Sequence, residues 1–261
     1  MKLAITGKGG VGKTSVVSLF ARVLRDRGHK FVLIDADPDM NLATILGIPP
    51  ETPITPIVEL KELIAERTGV EMGTPAAFFK MNPKVDDIPD KYCVEFNNIR
   101  LIVLGSIKKG GGGCACPENA FLKNLLSYLI VARDEWVILD MEAGIEHLGR
   151  GTAVGVDYMI VVVEPNITSI ETAFRIKKLG GDLGIKNLSI IGNKIQTTDE
   201  KVFLENKLKG FNILGFIDYS DVIKKISLNI LSPLEIEKKS LEAFDRIIDN
   251  LSQKSLTGSV R

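Results

Sequence analysis

Short apolar runs alternate along this chain with stretches of helical period. "KLAIT" (2–6), "KFVLID" (30–35), "IRLIVLG" (99–105), "EWVILD" (135–140), "YMIVVVE" (158–164) and "LSIIGNK" (188–194) read as strands, and "NILGFI" (212–217) is a shorter seventh. Their near-continuous Val and Ile content fits parallel strands covered on both faces. "TSVVSLFARVLRDRG" instead spaces Val16, Val17, Leu19, Phe20, Val23 and Leu24 as a helix, and Gly28 suits its stop. "LEIEKKSLEAFDRIIDNL" repeats that pattern with Leu241, Phe244, Ile247, Ile248 and Leu251. Its polar side mixes acids and bases, so it is expected to pack on the domain rather than lie on a membrane. Strand–helix alternation predicts an α/β fold: a doubly wound, mostly parallel sheet flanked by helices, with right-handed crossovers. Residues 48–98 are the least regular and carry no second run of strands. They read as an insertion on a single domain that spans 1–261.

Composition narrows this little. Apolar residues make up 45% and charged residues 25% of the 261, as in ordinary globular proteins. The formal net charge of zero gives no general reason to expect nucleic acid or an anionic membrane as partner. No apolar run is long enough to span a bilayer, and "MKLAITG" lacks a signal-peptide core. A cytoplasmic protein is expected, with its three cysteines as thiols.

The chemistry starts at "GKGGVGKTS". Gly7, Gly12, Lys13 and Thr14 match G-x-x-x-x-G-K-[ST] directly after a predicted strand and before a helix. Backbone N–H groups of such a loop curl around phosphate oxygens, and the helix N-terminus adds its positive dipole end. Gly7, Gly9, Gly10, Val11, Gly12, Lys13, Thr14 and Ser15 are the expected nucleotide-binding residues. Lys13 is expected on the β- and γ-phosphates and Thr14 on Mg²⁺. Asp37 in "LIDADPDMN" and Asp140 in "VILDMEAG" stand at C-terminal strand ends, where ligands of such sheets bind. Either alone could be a helix cap or a turn residue. Gly144 could bring an N–H near the γ-phosphate. Asn193 in "GNKI" could pair with an adenine edge, because its amide both donates and accepts.

Cys114 and Cys116 in "KKGGGGCACPENAF" pose a different problem. Side chains at i and i+2 of an extended segment face one way. Pro117 suits a helix start, and a helix N-terminus favours thiolate. Two thiolates fall short of a tetrahedral site, and a two-fold axis would supply the other two. Such a site could hold Zn²⁺, Ni²⁺ or an iron–sulfur cluster. The alternative is a pair of inert thiols. Cys93 has no sequence neighbour to pair with and reads as structural. His147 reads as a packing or capping residue.

"KGGVGKT" resembles the deviant phosphate loop of the MinD/ParA, nitrogenase iron protein and CooC ATPases. "DADPD", "NPKVDD", "KKGGGGCACPEN", "DMEAGIEHLGRGTA", "VEPNITSI" and "GDLGIKN" extend the resemblance to the CooC type. That resemblance implies ATP and ADP as ligands and a homodimer in which Lys8 reaches the partner's nucleotide. It implies that Asp37 orients the attacking water and that Asp140 belongs to a Walker B site. It also implies a bridging Ni²⁺ or Zn²⁺ at Cys114 and Cys116, and carbon monoxide dehydrogenase or acetyl-CoA synthase as client. Asp218 stands where such families often have a proline beside the adenine. An ATP-gated electron carrier with a [4Fe–4S] cluster and a MinD/ParA-like positioning ATPase are the competing expectations.

Overall fold

The computed structural model describes residues 1–70, 79–105, 116–132, 134–142, 153 and 155–258, with the backbone alone for 116 and 254–258. Eight strands form one sheet: β1 (Lys2–Gly7), β2 (Phe31–Ala36), β3 (Val94–Phe96), β4 (Ile99–Val103), β5 (Trp136–Met141), β6 (Tyr158–Val163), β7 (Leu188–Ile195) and β8 (Asn212–Asp218). Their order is β3-β4-β2-β5-β1-β6-β7-β8. Every neighbouring pair is parallel except β3–β4. The expected sheet is therefore present, with strand ends shifted by a residue or two.

The continuous apolar runs are explained by two helical layers. On one face, Ala4, Ile34 and Val161 pack with Phe121 and Leu125 of α5 (Cys116–Val131) and with Ile170 of the helix Ile167–Leu183. On the other, Leu3, Ile5 and Leu33 pack with Phe20 of α1 (Lys13–Asp26) and with Ile247 and Leu251 of the final helix Glu242–Gly258. Successive strand residues point to opposite faces, so both must be apolar. No helix among the described residues is long and apolar enough to cross a membrane.

Residues 48–98 hold one short strand, β3, among the described residues. Phe96 pairs with Ile99, and Asn97 and Asn98 between them have φ 48° and 61°. Two left-handed residues make the tight turn that a hairpin needs, and Asn tolerates that region. After α2 (Leu42–Ile45), the same stretch holds α3 (Lys61–Thr68) and the short α4 (Ile88–Tyr92), joined by the Arg67 guanidinium donating to both Asp87 oxygens at 3.1 and 2.8 Å. That pairing holds the Asp87 carboxyl well below the usual carboxylate range. Ile64, Val85 and Ile88 join the same apolar cluster as α5.

The last helix also begins later than its periodicity suggests. Pro233–Glu235 and Lys238–Leu241 are 3-10 turns, and the α-helix starts at Glu242. Phe244 is 1% exposed and meets Phe20 edge-on, with ring centroids 5.9 Å apart. Phe244→Ala should destabilise the fold by about 3–5 kcal/mol, through lost transfer energy and the cavity left behind. A fall in the denaturant midpoint at unchanged slope would show it.

Candidate nucleotide site

The order β5-β1-β6 puts the end of β1 at the centre of the sheet, between strands that come much later in the chain. Connections leave this centre in both directions, which opens a crevice at the C-terminal strand ends. The glycine loop lies there. Gly7 has φ 150°, and a Cβ on it would sit 2.5 Å from the Val162 carbonyl oxygen. Gly12 has φ 91°, and a Cβ there would sit 2.7 Å from Asn193 Nδ2. Only glycine meets both conditions. Gly12 ends the loop, and Lys13, 7% exposed, opens α1. Ser15 is buried in the first turn of α1 and lines the adjoining cleft.

The acidic residues meet from neighbouring strands. Asp35 of β2 is in register with Asp140 of β5, which is in register with Ile5 of β1. Both carboxyls are fully buried. Burial pushes Asp140 up to about 7. The Thr14 hydroxyl and the Lys13 ammonium pull it down, and the Asp35 and Asp37 charges push it up. Among the described residues neither Asp140 oxygen takes a hydrogen bond of normal geometry. Burial likewise lifts Asp35 to about 6, against backbone N–H bonds from Leu42 and Asp37. These bonds, 3.1 and 3.2 Å long, tie down both ends of the turn that carries Asp37. The sequence reading chose Asp37 and passed over Asp35. Its signal was a carboxylate inside an otherwise apolar strand.

The Asn193 amide donates to the Val11 carbonyl at 2.7 Å, and the residue is only 4% exposed. It braces the loop as well as lining the cleft. That cleft, about 340 Å³, runs from Gly10, Gly12 and Ser15 past Lys194 to Tyr219 and Ile223, a size suited to a small-molecule ligand. Asp218 is at its rim, paired with Lys201 at 2.9 Å. Lys194 was not foreseen as a site residue, yet its ammonium donates to the Gly10 carbonyl at 2.7 Å. Lys8 is exposed and donates to Thr168 Oγ1 of its own chain at 2.7 Å.

Cys114, Gly144 and His147 lie outside the described residues, and of Cys116 only its place at the start of α5 is described. Cys93 packs half-buried against the core, and burial pushes its thiol up. Among the described residues no group of three or more His, Cys, Asp or Glu side chains could hold a metal. A Mg²⁺ needs no such group, since one or two carboxylates plus phosphates suffice. The two orphaned oxygens of Asp140, beside Thr14, fit that cation.

Comparison with known proteins agrees with this geometry. The CbiA family model, described as the CobQ/CobB/MinD/ParA nucleotide binding domain, matches residues 2–233. An uncharacterized ATP-binding protein of Methanocaldococcus jannaschii is 46% identical over 95% of this chain and 96% of its own. The carbon monoxide dehydrogenase accessory protein CooC of Rhodospirillum rubrum is 43% identical over 86% of each chain. Among solved structures, the MinD cell division protein of Aquifex aeolicus superposes with a TM-score of 0.66 at 22% identity, over 98% of this chain and 96% of that one. With the phosphate loop at the sheet centre and buried carboxylates beside it, the chain belongs to the CobQ/CobB/MinD/ParA family of nucleotide-binding domains, as a relative of CooC.

Proposed function

We propose that the chain is a one-domain ATPase that dimerises with nucleotide and assists nickel insertion into carbon monoxide dehydrogenase or acetyl-CoA synthase. The observation that carries this reading is the 43% identity with CooC over 86% of both chains. The Cys114-x-Cys116 pair in the sequence, whose second cysteine opens α5, supports it chemically. One chain brings two thiolates, and a two-fold partner brings two more, enough for a tetrahedral Ni²⁺ or Zn²⁺ carried as cargo.

In this reading the loop N–H groups bind the phosphate chain, and Lys13 offsets charge on the β- and γ-phosphates. Asp37, on the turn held by Asp35, orients the attacking water. Thr14 and Asp140 would hold Mg²⁺, which when bound supplies charge neutralisation on the phosphate oxygens. Lys8 leaves Thr168 to stabilise charge on the partner's transferred phosphoryl group.

The test is metal content and oligomeric state with ATP, with ADP and without nucleotide. Wild type should bind about one metal ion per dimer, and Cys114→Ala/Cys116→Ala should lose it. Full metal retention in the double variant sinks the nickel reading. A brown, redox-active protein after anaerobic purification favours a bridging iron–sulfur cluster instead. Lys8→Ala should keep nucleotide binding and lose ATP-dependent dimerisation. A variant that still dimerises and hydrolyses normally removes the trans role.

A further inference from the structure

We propose that Lys194, clamped by Glu164, is a positioning residue that presets the phosphate loop for the phosphate chain. This rests on the nucleotide-site reading above and adds two residues that neither motif nor resemblance assigned.

A loop of four glycines in six residues, Gly7 to Gly12, is entropically costly to hold in one shape. Around Gly9 and Gly10 nothing lies within 4 Å of where a Cβ would be, so side-chain packing does not hold them. What holds this part of the loop is a set of hydrogen bonds to its carbonyls. Lys194 Nζ donates to the Gly10 carbonyl at 2.7 Å, and Asn193 Nδ2 donates to the Val11 carbonyl at 2.7 Å. The N–H of the same Gly10–Val11 peptide turns back to the Lys8 carbonyl at 3.4 Å, so that peptide is held at both ends and the loop's course from Lys8 to Val11 is fixed.

The lysine itself is held unusually. Its backbone has φ 58°, a region non-glycine residues seldom adopt, at a register irregularity between β7 and β8. Glu164, just after β6, clamps the side chain, with Oε1 2.5 Å from Lys194 Nζ. The other Glu164 oxygen accepts from Asn166 Nδ2 at 3.1 Å. Asn166 Oδ1 in turn accepts from Thr168 Oγ1 at 3.0 Å, the hydroxyl that receives Lys8. One polar chain through "EPNIT" therefore fixes the loop at Gly10 and at Lys8.

The experiment compares binding of ADP and of inorganic pyrophosphate by calorimetry. Lys194→Met keeps the stem and removes the amine. It should weaken both ligands about tenfold, the scale of a charge-assisted hydrogen bond. Lys194→Arg can still donate to both partners and should restore most of the loss. Lys194→Gly suits the left-handed backbone, so it should fold and still bind pyrophosphate weakly, which keeps the test open if the Met variant misfolds. Glu164→Gln should show a smaller loss of the same kind. Loss of ADP binding with pyrophosphate unchanged would overturn the proposal, since Lys194 would then touch the nucleoside. Unchanged binding of both ligands in Lys194→Met and Lys194→Gly would overturn it too. A wild type that binds neither ligand would instead remove the nucleotide-site reading itself.

Discussion

Lys13→Ala lowers ATP turnover by on the order of 10³-fold and leaves the fold intact. The loss follows from position. Lys13 is buried at the first residue of α1, between the glycine loop and the buried carboxyls. Its ammonium meets charge that grows on the phosphates as the bond breaks. Fixed cations and donors aimed at such charge in a site screened from water contribute roughly 10²–10³ in rate or more. Alanine also leaves the loop's N–H groups in place, so some affinity for phosphate survives. Lys13→Arg is not expected to rescue, because a planar guanidinium is too large for a buried point-charge site. Steady-state hydrolysis with saturating Mg-ATP, and a thermal melt as folding control, check both parts. A Lys13→Ala protein with more than a tenth of wild-type turnover would falsify the assignment.

Asp140→Asn makes the metal-free protein more stable at pH 8 while removing most hydrolysis. The sign follows from burial. The folded Asp140 carboxyl has its pKa near 7, against an ordinary value of 3.8. Between those values the folded state keeps a proton that the unfolded state has released. Stability therefore falls as pH rises through that window, and the full penalty is present above about 7. About three pKa units correspond to on the order of 4 kcal/mol, or about 5–10 °C in melting temperature after some relaxation of the site. Asp35 pulls in the same direction with its pKa near 6, so the pH profile of wild type alone does not isolate Asp140. The difference between wild type and Asp140→Asn at pH 5.5 and pH 8 does. Melts in chelator should show the variant gaining at pH 8 and little at pH 5.5. Adding Mg-ADP should then stabilise wild type more than the variant, because the cation favours the charged carboxylate. An equal gain at both pH values would show that packing, not charge, sets the effect.

The strands and the phosphate loop were legible because each is a local pattern. A strand covered on both faces must be apolar at every position. A phosphate cradle must have glycine where φ is positive or a Cβ would collide, as at Gly7 against Val162 and Gly12 against Asn193. The β3 hairpin was missed because three residues with Glu95 in the middle carry too little apolar signal, although Asn97-Asn98 was a turn signature. The final helix was drawn too long because apolar spacing in "LEIEKKS" fits a 3-10 turn as well as an α-helix.

Fold class, nucleotide loop and the acids at strand ends can be read along the chain, since each depends on spacing within one segment. The family followed from those motifs, as did the expectation of a dimer sharing Cys114 and Cys116. Folding in three dimensions is what buries Asp35 and Asp140 side by side, lets Asn193 brace Val11 from 182 residues away, and brings Lys194 and Glu164 to clamp Gly10. Those contacts depend on β2 pairing with β5 on one side of β1 and β7 with β6 on the other, so that strand ends distant in sequence meet around one loop. Sheet order is set by how the helical layers pack on both faces, and no local periodicity encodes it.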